Sequence, residues 1–137
     1  MTVLNRFIYK DENIMERGNI TITENRVIIN HVNGNVWLSA WEIAKTFEVF
    51  PAKITSNIRS IIKSNIFWID DVCYCHYYAN GGSVDLYNLE MITALAFRIN
   101  SHKADLFRKW LMKQAVHEEK NTSPTVIFYN ATNIINL

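Results

Sequence analysis

The sequence predicts an α+β fold built on a helix-turn-helix (winged-helix-like) core, with β-hairpins around it and two longer C-terminal helices. Three observations predict it. Val36 to Lys63 holds two apolar-periodic segments separated by a turn too short for any other element. Short β-branched runs punctuated by Asn-Gly and Gly-Gly flank that pair. The last third then changes to helical periodicity.

Taken in order, Ile20-Thr21-Ile22 and Val27-Ile28-Ile29 are β-rich runs joined by Thr23 to Arg26, a first hairpin. Asn33-Gly34 supplies a second turn before Val36-Trp37-Leu38. Ser39 with Glu42 three residues on forms a capping box and marks a helix start. Ala40, Ile43, Ala44 and Phe47 then fall on one stripe. After the turn Glu48-Val49-Phe50, Pro51 occupies the first position of a second helix, where a missing N–H costs nothing. Ile54, Ile58, Ile61 and Ile62 form its inward stripe. Ala52, Ser56, Arg59, Ser60 and Lys63 point away from it, with Lys53 at the edge.

Downstream, Cys73 to Tyr78 and Val84 to Tyr87 flank Asn80-Gly81-Gly82, a hairpin where a wing would stand. Tyr74, His76 and Tyr78 share one face of its first strand, placed to pack against a neighbouring helix rather than to touch a DNA backbone. The segment Asn88 to Ile99 is apolar nearly all round and is expected as a central buried helix. From Ser101, a cap, to about Lys120 a longer helix sets Ala104, Phe107, Trp110, Leu111 and Ala115 inward, with Arg108, Lys109 and Lys113 opposite. Met112 and Val116 fall among those polar positions, where a second copy of the chain would cover them. Residues 1–120 are thus expected as one domain, and residues 121–137 as a tail whose strand-like run is Val126 to Tyr129 after Pro124.

Composition narrows the function classes. At 137 residues with 49% hydrophobic and 20% charged side chains, the chain suits one folded domain. No apolar run is long enough to span a bilayer, and the opening MTVLNRFIYKDEN lacks signal-peptide features, so the cytoplasm is the expected location. The acceptor tripeptides at Asn19 and Asn130 then carry no meaning. The net charge of +1 is unevenly spread, at 0 over residues 1–38, +2 over 39–65, −4 over 66–97 and +3 over 98–137. A weak positive footprint under the second helix, opposed by an acidic region, would orient the protein on DNA but bind it weakly as a monomer.

Other chemistries find little support in the sequence. Cys73-x-Cys75 is a single C-x-C with no second pair, and on a strand both thiols share a face while His76 points away, so no metal is expected. No cofactor loop, paired acidic motif or thiol-base motif appears, and no enzyme is expected. Arg98, Asn100 and Ser101 form a polar cluster between two apolar helices with two readings. Either it holds an anion at the start of the second helix, or Arg98 pairs with an acid while Ser101 caps.

The string from Tyr87 to Trp110 resembles the virulence-protein RhuM family. Its carriers are Tyr87-Asn88-Leu89-Glu90, Phe97-Arg98-Ile99-Asn100-Ser101 and Phe107-Arg108-Lys109-Trp110. Upstream, Val36-Trp37-Leu38-Ser39 and Ile43-Ala44-Lys45-Thr46-Phe47 also fit, and the likeness covers roughly residues 20 to 118. Glu48 and Phe50 stand where the family usually has glycine and serine. The resemblance implies a bacterial protein tied to virulence regions, phages or other mobile elements and akin to antirepressor amino-terminal parts. It implies no established activity.

The expected function is therefore transcription regulation by a homodimer that reads double-stranded DNA. Lys53, Ser56, Arg59 and Ser60 would meet base edges or adjacent phosphates, and Lys45 and Lys63 the backbone. The competing expectation is a protein-interaction module, antirepressor-like, that keeps the fold but grips another regulator. Trp37, Trp41 and the tail would then form an exposed apolar patch.

Overall fold

The computed structural model of the chain describes residues 17–121, with their side chains as far as residue 117. The expected tail strand at Val126 to Tyr129, the Asn130 tripeptide and the first 16 residues lie outside the described residues.

Strands β1 (Asn19–Ile22) and β2 (Val27–Asn30) pair antiparallel, with Ile20 opposite Ile29 and Thr21 opposite Ile28. The period of two turns Ile20 and Ile22 into the core and leaves Asn19 and Thr21 in solvent. Gly18 precedes them at φ 80°, and a Cβ there would stand 2.4 Å from the Asn30 carbonyl oxygen, so no larger residue fits. Asn33 and Gly34 both have positive φ, at 54° and 79°. They form the tight turn that the Asn-Gly pair favours, closed by reciprocal hydrogen bonds between Val32 and Asn35 of 2.8 and 3.1 Å.

Beyond it come β3 (Leu38–Ser39), α1 (Ala40–Phe47) and α2 (Pro51–Lys63). A one-turn helix α3 (Ile69–Val72) leads into β4 (Cys73–Tyr77) and β5 (Ser83–Tyr87). The three strands form an antiparallel sheet in the order β3-β5-β4, Leu38 facing Tyr87 and Tyr74 facing Leu86. The helix pair is therefore inserted between a strand and the hairpin that pairs with it. Helices α4 (Leu89–Ala96) and α5 (His102–Asn121) complete five helices among the described residues, a mixed α+β fold with small antiparallel sheets. None of these helices is long and apolar enough to cross a membrane.

One apolar cluster joins these elements. Ile43 and Phe47 of α1, Ile54, Ile58 and Ile61 of α2, Met91, Ile92 and Leu95 of α4 and Phe107 of α5 are all buried in it. Phe47 and Phe107 meet edge to face, 5.7 Å between ring centres.

Two helix ends differ from the sequence expectation. The central helix stops at Ala96 rather than Ile99, and begins at Leu89 with Asn88 as its cap, whose side chain accepts from the Met91 amide at 3.2 Å. Arg108 is not on the solvent side of α5. Its Nη1 donates to the carbonyls of Ala96 (2.6 Å) and Ile99 (2.8 Å), satisfying acceptors that the shortened α4 leaves open. Ala115, placed inward by periodicity, is exposed because α5 runs past the body at that point.

Candidate nucleic-acid interface

The start of α1 is fixed by the capping box read in the sequence. Ser39 Oγ accepts from the Glu42 amide at 3.2 Å, and Glu42 Oε1 accepts from the Ser39 amide at 2.8 Å. Arg17 grips the same carboxylate with both guanidinium ends, at 2.8 and 3.0 Å, a contact that sequence reasoning missed. Burial pushes the Glu42 carboxyl up, but the Arg17 donors and the Ser39 amide together hold it below the ordinary carboxylate range.

The turn departs from glycine at a cost. Glu48 takes φ 57° and ψ 50°, the left-handed conformation that a glycine adopts freely after a helix. Its carboxylate lies 3.8 Å from Lys103 Nζ, so the negative charge the turn brings is met from α5. Phe50 is the N-cap of α2 in the extended conformation, makes no side-chain cap and is 85% exposed. Pro51 follows at the first helical position, as its fixed φ favours.

Along α2 the isoleucine stripe faces inward, with Ile54, Ile58 and Ile61 buried and Ile62 half-buried. All the residues expected on the outer face are exposed, namely Lys53, Ser56, Arg59, Ser60 and Lys63, together with Ala52. Lys53 to Lys63 spans about 15 Å of helix at the usual rise. None of Lys53, Arg59 and Lys63 forms an ion pair among the described residues. Lys45 is exposed as well but belongs to α1, where its ammonium stands 5.9 Å from the centre of the Trp41 ring.

Beside α2 lies the corner between α4 and α5. Among the described residues Arg98 pairs with no acid. Its Nη1 donates to Ser60 Oγ at 3.0 Å, so an arginine 38 residues downstream joins the α2 surface. Ser101 caps α5 by accepting from the Ala104 amide at 3.1 Å, and its hydroxyl donates to the Phe47 carbonyl at 2.8 Å. Lys53 and Asn100 line one shallow cavity with Glu48, Val49 and Phe50, of about 460 Å³.

The β4–β5 hairpin turns at Tyr78 to Gly82, where the Asn80 side chain accepts from the Gly82 amide at 2.9 Å. Tyr74 and His76 are buried, Tyr74 meeting Trp37, which is on no helix, edge to face at 4.7 Å, whereas Tyr78, expected on the same packed face, lies beyond the end of β4 and is exposed. Residues 66–97 contain no lysine or arginine, and Asp85 is exposed on β5. The hairpin therefore lacks the cations that grip phosphate. Cys73 and Cys75 are half-buried on the opposite face from His76. Burial, aided by Asp85, pushes the Cys73 thiol up to about 11, away from thiolate chemistry. Among the described residues no group of three His, Cys, Asp or Glu is placed to hold a metal ion. Compared with protein-family models, with curated proteins and with solved structures, the chain matches none.

Proposed function

We propose that the protein is a DNA-binding regulator of the mobile-element type, with α2 as its reading helix and two copies acting together. The observation that carries this is the division of α2. Its isoleucines are turned into the core, while Lys53, Ser56, Arg59, Ser60 and Lys63 are exposed, and α2 itself carries no acid. Small polar and basic side chains on an exposed helix suit a major groove, where they reach base edges and phosphates without steric conflict. The strand order β3-β5-β4 around the helix pair supports the winged helix-turn-helix part of this reading, in which the hairpin would be an uncharged to acidic wing. Met112 and Val116, each about half exposed and one turn apart on α5, suit burial against a second copy.

The test is binding of a mixed-sequence duplex across a salt series, with the oligomeric mass measured alongside. Two phosphate contacts each contribute about 0.9 to the slope of log K against log salt. An Arg59→Ala, Lys63→Ala double variant is expected to lose up to about 2 units of slope per bound copy. Unchanged duplex binding by that variant overturns the reading. A second reading, attachment to another protein, draws on Phe50 and Trp68, the two most exposed aromatic side chains among the described residues, and on exposed Trp41. Trp37 does not join them, since it packs on Tyr74. Such association would survive high salt, whereas DNA binding would not.

A further inference from the structure

The α4–α5 corner carries a cation in contact with the α2 surface, outside the helix pair itself. Resting on the DNA-binding reading above, we propose that Arg98 is a phosphate-positioning residue, holding the backbone of one duplex strand along the Lys53–Ser60 edge of α2. Four observations lead there. The Arg98 backbone is fixed, its amide donating to the Leu95 carbonyl at 2.9 Å in the turn that ends α4. Its guanidinium is anchored at Ser60 Oγ, 3.0 Å away, yet the residue is exposed. It forms no ion pair among the described residues. A guanidinium presents five N–H donors in a planar fork, and Ser60 takes one.

Helical geometry gives the direction. At about 100° per residue, Lys53, Asn57 and Ser60 lie on one edge of α2, between the exposed face and the buried stripe. The corner follows this edge, with Asn100 beside Lys53 at one end and Arg98 on Ser60 at the other, about 10 Å along the helix. Arg98 thus joins Lys53 in a row along this edge, beside the face that carries Arg59 and Lys63. Glu48, the acid closest to the row in sequence, is paired with Lys103. A phosphodiester accepts from such a fork with two oxygens, and the contact fixes register without reading sequence.

The experiment compares the full chain with Arg98→Ala, Arg98→Lys and Ser60→Ala by anisotropy on a labelled mixed-sequence duplex between about 50 and 200 mM salt. Arg98→Ala is expected to lower the salt slope by about 0.9 and to weaken binding about fivefold at about 0.15 M for each bound copy, equally on unrelated sequences. Arg98→Lys and Ser60→Ala are expected to keep the slope, since both retain the charge. Should Arg98→Ala melt below the wild type, Arg98→Gln, which keeps a donor for Ser60, carries the same comparison. Wild-type slope and affinity in the charge-removing variants, together with weakened binding by Arg59→Ala, would overturn the role of Arg98 and leave the reading of α2 standing. A wild-type chain that fails to bind duplex at any of these salt concentrations overturns both.

Discussion

Replacing Glu48 by glycine is expected to make the protein more stable and, on the proposed DNA-binding role, a tighter binder of duplex, for separable reasons. At φ 57° and ψ 50° the residue is left-handed, which costs an L side chain about 1–2 kcal/mol and glycine almost nothing. Glycine gives back about 0.4–1 kcal/mol through the greater freedom of the unfolded chain. The lost pair with Lys103 is long, at 3.8 Å, and the Glu48 side chain is two-thirds exposed, so its removal subtracts little. Glu48→Gly should therefore exceed Glu48→Ala, which keeps the strain and loses the same pair, by about 0.7 kcal/mol. For a domain of this size that is a melting temperature about 3 °C higher. Both variants remove one negative charge, and at about 10 Å in water that charge is worth about 0.4 kcal/mol against a phosphate, or twofold in affinity. The assays are thermal melting of the three proteins and duplex binding at low salt. Equal melting of the glycine and alanine variants would refute the strain argument. A stability gap without any gain in affinity would instead refute the placement of the turn beside phosphate.

Two more outcomes follow from the helix pair. Phe50→Ser places an acceptor at the uncapped start of α2, where backbone angles of φ −69° and ψ 141° already suit a cap. It should add about 1 kcal/mol, with Phe50→Ala giving no comparable gain in thermal melting. The Glu42 carboxyl titrates below its unfolded value, so the stability it contributes is present above about pH 4.3 and is lost as pH falls through the folded pKa. Melting curves should accordingly show the wild type ahead of Glu42→Gln at neutral pH and the gap closing in acid. A gap that stays constant down to about pH 3 would sink this account.

What was legible in the sequence is what local chemistry dictates. Ser39 with Glu42, Pro51, the isoleucine spacing and Asn33-Gly34 each act within four residues, and each element they mark is present. Short-range periodicity likewise put the exposed α2 residues on the correct face. The misreadings arise where distant residues decide. Nothing near Ala96 announces a helix stop, because the open carbonyls are satisfied by Arg108, 12 residues beyond. Arg98 had no visible partner because Ser60 lies 38 residues away, and Arg17 meets Glu42 across 25. A cluster of Arg98, Asn100 and Ser101 in sequence signals polar chemistry but not the side of the molecule it faces. Only packing of α4 on α2 brings Arg98 to the candidate surface.

The hydroxyl of Ser101 ties the helix pair to the rest of the fold. By receiving the Ala104 amide and donating to Phe47, it clasps the end of α1 to the start of α5, while Phe107 closes over the Phe47 ring. The helix pair is therefore not a portable cassette. Its first helix is held by the distal third of the chain, so a change at α5 is met first at α1.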